Sequence, residues 1–290
     1  MEKNCDGPED LAAFWRRFDW RENFLAPGLV ILQALTPDGQ TASGAGLTRD
    51  EAWDRCLGET AEILALNRHR AQGGRFDPQR DGIASHADSS IARTAALHEA
   101  HERRAVAGWW LGESRAAPLD RQWLADAGLL ALHDRIRDGA ALKRRSDWWR
   151  IDGPPGPATM ICRSMSLEGQ EPILGYGVHP DPRQAAEKAL REMLLMEINL
   201  MELLAARSHG LGPALEPVGR RIRDYALRGA SLFAPAPAVI PAPAPETREA
   251  EVFAGPPCFL RLASGPVSVW LCQPDLPAPD FTEATGSPYL

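Results

Sequence analysis

The sequence has few of the features that mark membrane-spanning, disulfide-stabilised or nucleic-acid-binding proteins. It has no apolar run of about 18 residues, so we expect no membrane span, and its polar N-terminus is unlike a signal peptide. The five cysteines are scattered and have no CxxC spacing, which argues against a disulfide framework or a zinc site and fits a reducing cytoplasm. The net charge of −7 argues against a general nucleic-acid-binding surface.

The rest of the composition is that of an ordinary globular protein. With 290 residues, 44% of them apolar, the chain can form a substantial core in one large or two ordinary domains. We predict an N-terminal amphipathic helix within 1–24 and a main domain over 25–233. A Pro/Ala-rich linker follows over 234–251, in which alternating prolines favour extended polyproline II. A C-terminal hairpin and extended tail, packed on the main domain, are predicted over 252–290.

A short pattern organises the chain and occurs three times: Ala, three residues, Ala or Cys, Leu, any residue, Glu. Each copy lies among good helix formers and follows residues that can begin a helix. The pattern therefore predicts helices over about 49–67, 89–108 and 182–205. The three copies are Ala52-Cys56-Leu57-Glu59, Ala92-Ala96-Leu97-Glu99 and Ala185-Ala189-Leu190-Glu192.

One position of the pattern is a carboxylate in every copy, at Glu59, Glu99 and Glu192. Two copies add a second one three residues later, Glu62 and Glu102, on the same helix face. Like charges on one face destabilise a helix unless a positive group lies between them, and Mg²⁺ is commonly held by one or two carboxylates plus substrate phosphates. Solvated helix faces are the alternative explanation, which the triple repetition makes weaker.

Segments that favour strands alternate with these helices. An apolar run over 29–35, a segment leading into Gly44 and a segment ending at 175–178 are predicted strands. Repeated strand–turn–helix units indicate an α/β or α+β fold with helices on the sheet faces. The remaining predicted elements are helices over 119–139 and 213–233, strands over 148–151 and 159–165, and a terminal hairpin over 258–262 and 267–272.

These segments resemble the three motifs of the YcaO family, in the same order and with similar spacing, over about residues 25–205. The first motif, S-G-x-G-x-T then A-L-G-E-x-x-E-R, is similar to 43–48 and 56–62. The second, S-N-G-x-A-A-G-N then A-L-x-E-x-x-E-R, is similar to 80–87 and 96–103. The third, G-x-G-x-H-x-D-P then A-L-x-E-x-x-x-Q, is similar to 175–182 and 189–192. The resemblance implies a YcaO-like fold with helices packed on mixed sheets.

The resemblance also implies an activity. YcaO proteins use ATP and Mg²⁺ to phosphorylate a peptide amide oxygen, so that a Cys, Ser or Thr side chain forms an azoline or sulfide forms a thioamide. For this chain it implies a role in ribosomal peptide modification, on a precursor peptide. No leader-binding domain is recognisable, so a leader-binding or second YcaO-type partner protein is expected. Homodimerisation is expected only from the resemblance.

The resemblance carries roles over to individual residues. Metal ligands would be the five repeated carboxylates Glu59, Glu62, Glu99, Glu102 and Glu192. Nucleotide contacts would come from Arg103, whose fork suits phosphate oxygens, and from Ser43 and Gly46. His179 and Asp181 match the third motif, and a turn before a helix explains them as well.

Four positions depart from the family pattern: Ile63, Ala87, Ile91 and Met196 stand where the family has Arg, Asn, an acid and Gln. Apolar side chains can neither accept a hydrogen bond from a ribose nor orient a metal-bound water. Two hypotheses therefore stay open: an ATP- and Mg²⁺-dependent enzyme, and a degenerate, non-catalytic subunit that scaffolds a complex or recognises peptide for a partner enzyme. A third explanation is an unrelated α/β domain with solvated Glu helices.

Overall fold

The computed structural model describes residues 8–210, 216–243, 253, 255–264, 267–282 and 285–289. Its strands are β1 (Arg17–Arg21), β2 (Val30–Leu35), β3 (Thr41–Gly46), β4 (Gly82–His86), β5 (Ala116–Pro118), β6 (Arg144–Ile151), β7 (Ala158–Ser166), β8 (Ile173–His179), β9 (Cys258–Ala263) and β10 (Ser268–Gln273). Its helices are α1 (Arg49–Ala71), α2 (Ser89–Leu111), α3 (Arg121–Asp126), α4 (Leu129–Arg137), α5 (Pro182–Ser208) and α6 (Glu216–Leu232). None of the described helices is long and apolar enough to cross a membrane.

The chain forms two units, each assembled from separate stretches of sequence. The first comprises Met1–Glu22, Leu29–Arg103 and Arg248–Ala278, and contains the sheets β1-β2-β3 and β4-β10-β9. The second comprises the remaining stretches and contains the sheet β5-β6-β7-β8. The predicted α/β fold with repeated strand–turn–helix units is confirmed. The named strands pair antiparallel throughout, whereas mixed sheets were expected.

The three repeated helices begin where the sequence predicts. The Thr48 hydroxyl accepts a hydrogen bond from the Glu51 amide, and the Asp181 carboxylate accepts one from the Arg183 amide. Asp88 does the same for Ser90 at the start of α2. Each side chain satisfies a backbone donor that has no partner within the helix, which fixes the start of the helix.

The small residues of the repeat let the helices approach glycines on the strands. Gly44 of β3 lies against Ala52 and Cys56 of α1 so closely that a Cβ there would overlap the helix backbone. Gly177 of β8 lies in the same way against Ala185 of α5. The repeated Ala-x-x-x-Ala/Cys pattern is therefore the helix side of a tight strand–helix contact.

The predicted N-terminal helix within 1–24 is wrong. The chain forms a 3-10 helix at Pro8–Phe14 and then β1, which pairs with β2. Phe18 packs edge-on against Trp15 and against Trp53 of α1, so the aromatic residues do not form one stripe along an N-terminal helix. Tertiary pairing here outweighs a periodicity that also suits a helix.

The predicted helix over 119–139 is also divided. Gly128 adopts a left-handed conformation with φ 74°, which separates α3 from α4. Residues Ala116–Pro118, just before this helix, form β5, which pairs with β6.

Residues 234–243 of the predicted linker contain no helix or named strand, and Val239 is hydrogen-bonded rather than a free spacer. Its amide donates to Pro118 (2.9 Å) and its carbonyl accepts from Asp120 (2.9 Å). Residues 244–251 of the predicted linker lie outside the described part of the chain.

The predicted C-terminal hairpin is confirmed as β9 and β10, and it completes a sheet of the first unit. β10 pairs with β4, whose residues Gly82 and Ile83 face α2 and α1 respectively. The part of the C-terminal segment up to Ala278 therefore belongs to the first unit, whereas Pro279–Leu290 belong to the second.

The second unit holds a buried charge cluster that orders α5. Glu197 is fully buried, and both its oxygens accept from Arg137, at 2.6 and 2.8 Å. Arg144 donates to it at 3.0 Å, and the Ser164 hydroxyl donates to the same carboxylate. These contacts tie α5 to α4, β6 and β7.

Candidate functional site

The glutamates of α1 and α2 lie beside the edges of two sheets in the first unit. Oε2 of Glu59 accepts from the Ser43 amide of β3 at 2.6 Å, and Oε2 of Glu99 accepts from the Ile83 amide of β4 at 2.9 Å. β3 and β4 are the edge strands of their sheets among the described strands, so these amides point away from the ladder. In each case the glutamate comes 16 residues after the residue whose amide it accepts from, so the sequence repeat gives the same contact in both helices.

Glu62 completes this carboxylate group. It accepts hydrogen bonds from both the hydroxyl and the amide of Ser85, two residues after Ile83 on the same edge of β4. Removal from water, followed by the charges of Glu99 and then Glu59, raises the pKa of Glu62 to about 8, against an ordinary 4.5. We call Glu59, Glu62 and Glu99 the carboxylate cluster.

Arg103, expected to contact phosphate, lies one helical turn after Glu99 and forms an ion pair with Oε1 of that residue. Glu99 therefore binds a backbone amide with one oxygen and a guanidinium with the other. Glu102, the fourth of the repeated carboxylates on the two helices, is half-buried on α2. The clustering of opposite charge beside the carboxylates is the pattern that a phosphate–metal site requires.

The Gly44–Gly46 segment is strand rather than loop. Ser43 and Gly46 both belong to β3, and a Cβ at Gly46 would overlap Glu51 at the start of α1. The glycines are thus explained by helix packing, and the nucleotide contacts expected at Ser43 and Gly46 stay predictions.

The third motif lies in the second unit. Glu192 is exposed on α5, and its charge contributes, after burial, to the raised pKa of Tyr225. Asp181 caps α5, and its amide donates to Nδ1 of His179 at 3.0 Å. His179 ends β8 and Asp181 caps α5, so both lie where the chain bends before the helix. Burial and the charge of Lys188 lower the pKa of His179.

The departures from the family pattern differ in their surroundings. Ile63 packs against the apolar cluster formed by α1, β2 and β3. Ala87 is exposed, and Ile91 exposes 50% of its surface at the start of α2. Met196 is half-buried on α5, where its sulfur lies 3.9 Å from the Asn199 amide nitrogen. Of these four residues, only Ile63 is explained by packing against a hydrophobic core.

The carboxylate cluster fits Mg²⁺ in chemistry. The atoms that it offers to a metal are all oxygens. Its glutamates also accept hydrogen bonds from the backbone, as metal-binding carboxylates in proteins commonly do. Within the described ranges, no group of three or more His, Cys, Asp or Glu side chains converges closely enough to hold an ion. The cluster is thus a set of oriented, mutually repelling carboxylates rather than a closed coordination sphere.

A model of the YcaO cyclodehydratase, ATP- and Mg²⁺-binding, family matches residues 63–254, which is more than half of the sequence. The chain belongs to the YcaO family. The matched range begins directly after Glu62 and contains Glu99, Arg103 and Glu192. The family assignment made from the motifs is therefore confirmed.

Solved structures agree with the YcaO assignment at the level of the fold. The YcaO protein of Methanopyrus kandleri, solved with AMPPCP and Mg²⁺, superposes with a TM-score of 0.61 at 14% identity, over 93% of this chain and 92% of that one. A heterocyclase solved with substrate and cofactor gives a TM-score of 0.64 at 14% identity, over 92% of this chain and 52% of that one. No curated protein matches the sequence significantly.

Sequence reasoning missed β4 of the candidate site and the buried Glu197 of the second unit. β4 was not predicted, so neither Ser85 nor the Ile83 amide was assigned a role. Glu197 was missed as well, and its signal is a carboxylate at an apolar position of an amphipathic helix.

Proposed function

We propose that this YcaO protein is an ATP- and Mg²⁺-dependent enzyme that activates a backbone amide of a precursor peptide, for azoline or thioamide formation. The observation that carries the proposal is the carboxylate cluster, in which two helices of the first unit direct Glu59, Glu62 and Glu99 to the edges of β3 and β4. A divalent cation is the partner that relieves their mutual repulsion.

Each residue of the candidate site has a separate role in this proposal. Bound Mg²⁺ would neutralise charge on the ATP phosphates. The strand amides of Ser43 and Ile83 hold Glu59 and Glu99 in place, and Glu62 would serve as a ligand in its ionised form. Arg103, which lies beside Glu99, would offer its guanidinium fork to phosphate oxygens. Glu102 and Glu192 are proposed as further ligands.

A second candidate function is a non-catalytic YcaO subunit that holds or recognises peptide for a complete partner enzyme. It is favoured by the apolar surface of Ala87 and Ile91 at the start of α2, where the family pattern has an amide and an acid. The Arg103–Glu99 ion pair also favours it, since each group satisfies the other without a ligand.

Calorimetric titration with Mg²⁺-ATP tests the proposal. The wild type is compared with Glu99→Gln, which removes the charge of a cluster carboxylate but keeps its shape. Asp54→Asn is the matched control, because Asp54 is exposed on α1. We expect wild type and control to bind, and Glu99→Gln to bind at least about tenfold more weakly, which corresponds to about 1.4 kcal/mol.

Two results would contradict the enzyme proposal. Absence of binding by a folded wild-type chain favours the non-catalytic subunit, as does nucleotide binding that Glu99→Gln leaves unchanged. If binding is found, phosphate release from ATP in the presence of a Cys- and Ser-containing peptide separates a working enzyme from a nucleotide-binding subunit.

A further inference from the structure

Strand β1 forms an open edge of the first unit. In the sheet β1-β2-β3 it pairs with β2 alone, and no isolated bridge involves it in the described part of the chain. Four of its five residues are exposed, and Trp20 is the exception. An edge strand of this kind presents backbone donors and acceptors that can pair with a further strand.

The alternation of hydrogen bonds across the sheet shows which amides face this edge. In the β2–β3 hairpin the Thr36 amide donates to Gln40 at 2.9 Å, so the even-numbered residues of β2 bond to β3 and the odd-numbered ones to β1. The register places the odd-numbered residues of β1 opposite the odd-numbered ones of β2. The amides and carbonyls of Phe18 and Trp20 therefore point away from β2, and no bond to either from outside the sheet is found among the described residues.

Phe18 is the apolar centre of this edge. Its ring centroid lies 5.7 Å from that of Trp15 and 5.7 Å from that of Trp53, and 46% of the residue remains exposed. The two tryptophans hold the ring against α1 on one side, and solvent covers its other side. A second aromatic ring beside Phe18 would cover that apolar surface.

The opposite face of β1 carries charges of alternating sign. Arg17, Asp19 and Arg21 are exposed, and they share a face because they are two residues apart. Charges of one sign would repel a second copy of the strand, whereas alternating signs can pair with it. In an antiparallel pair with its two-fold axis at Phe18, each Arg17 lies opposite the partner's Asp19. With the axis at Asp19, that carboxylate would instead face the partner's Asp19.

We propose that two copies of this chain associate through β1, which pairs antiparallel with the same strand of the partner about Phe18. The two three-stranded sheets then form one continuous sheet. Backbone bonds between the two Phe18 residues and two reciprocal Arg17–Asp19 pairs set the register, and the Phe18 rings cover each other. Ser43, whose amide holds Glu59, belongs to β3 at the far edge of the sheet, so this association leaves that edge open. It requires neither ATP nor Mg²⁺ and is tested without them.

Sedimentation velocity of the full chain, at protein concentrations from about 1 to about 100 µM, measures the association. We expect the wild type to shift with concentration from the 31.7 kDa of one chain toward twice that mass. Arg17→Asp and Asp19→Arg each place like charges opposite one another, so each should weaken self-association at least about tenfold. Asp54→Arg makes the same charge change as Asp19→Arg at an exposed position of α1, and it should match the wild type.

Mixing the two single variants tests the register. A chain with Arg17→Asp carries acids at positions 17 and 19, and a chain with Asp19→Arg carries arginines at both. Each like-charged pair of the separate variants becomes an opposite pair in the mixture, so the mixture should form a dimer that neither variant forms alone. A variant that had lost its fold could not regain association in this way, so the mixture separates pairing from misfolding.

Hydrogen exchange locates the interface. Exchange of the Phe18 amide should slow about threefold or more between about 1 and about 100 µM in the wild type, and it should not depend on concentration in Arg17→Asp. Self-association that Arg17→Asp leaves unchanged, a mixture that stays monomeric, or Phe18 exchange that is independent of concentration in the wild type would overturn the proposal. A wild type that is monomeric at every concentration would also overturn it, and would leave this edge to a strand of a different protein.

Discussion

At the scale of single residues, the surroundings of Glu62 set the charge of the cluster. Its pKa of about 8 means that the folded chain holds this proton more tightly than the unfolded chain does. The associated stability is fully present below the ordinary pKa of 4.5 and is lost as the pH rises through about 8. A bound cation would replace the proton and remove this loss.

Glu62→Gln tests that dependence. From about pH 5.5 to about pH 8.5, the wild type should lose on the order of 1–2 kcal/mol of stability relative to the variant, a value reduced because the side chain is partly exposed. Urea unfolding at the two pH values measures the difference, with Asp54→Asn as control. A wild type and a Glu62→Gln variant with the same pH profile would contradict the assignment.

The residue scale is also where sequence and structure differ most. The repeat indicated the glutamates Glu59, Glu62 and Glu99 that the structure brings together, because a Glu recurring at one position is visible in the sequence. It could not indicate their partners, since the Ser43 and Ile83 amides belong to the backbone and become available only at a strand edge. Ser85 lies in a stretch with no strand signal, because Gly82 and Ala84 are poor strand formers.

At the scale of elements, the contact between strand glycines and helix alanines defines the repeated unit. Gly44→Ala should destabilise the protein by about 3 kcal/mol or more, because its Cβ would overlap the backbone of α1. Gly255→Ala is the control, since a Cβ there has open space. Thermal unfolding measures both. If the two variants unfold at the same temperature, the fold does not require the close contact between Gly44 of β3 and α1.

The buried charge cluster of α5 gives a second prediction at this scale. Glu197→Ala leaves Arg137 and Arg144 buried without their carboxylate, so we expect a loss of about 3–5 kcal/mol. Glu187→Ala on the same helix removes only the partly exposed pair with Arg191, and should cost less than about 1 kcal/mol. Urea unfolding compares them, and similar losses would contradict a structural role for Glu197.

Elements were predicted well where their signals are local. The caps Thr48 and Asp181 mark helix starts that the structure confirms. The N-terminal helix failed because an aromatic spacing that suits a helix also suits β1 once β2 is beside it. The single helix over 119–139 failed because the effect of Gly128 depends on its φ angle, which the sequence does not specify.

At the scale of the whole molecule, the first unit depends on the C-terminal hairpin. Val269 of β10 is fully buried, so Val269→Asp should open the sheet that contains β4. Hydrogen exchange across 82–86 should accelerate at least about tenfold, while 158–166 in the second unit keeps its protection. Ile240→Asp is the control, since Ile240 is 72% exposed. Unchanged exchange at 82–86 would show that β4 does not need β10.

The pairing of β10 with β4 also determines when the first unit can complete its folding during synthesis. The strand that pairs with β4 follows it by roughly 180 residues, which a ribosome adds over on the order of ten seconds or more. During that interval β4 emerges with both edges open, at risk of associating with other nascent chains. The cluster that includes Glu62 and Glu99 therefore cannot assemble until β10 has been synthesised. A product released before β10 is made would carry both glutamate helices and lack the sheet that orients Glu62 and Glu99.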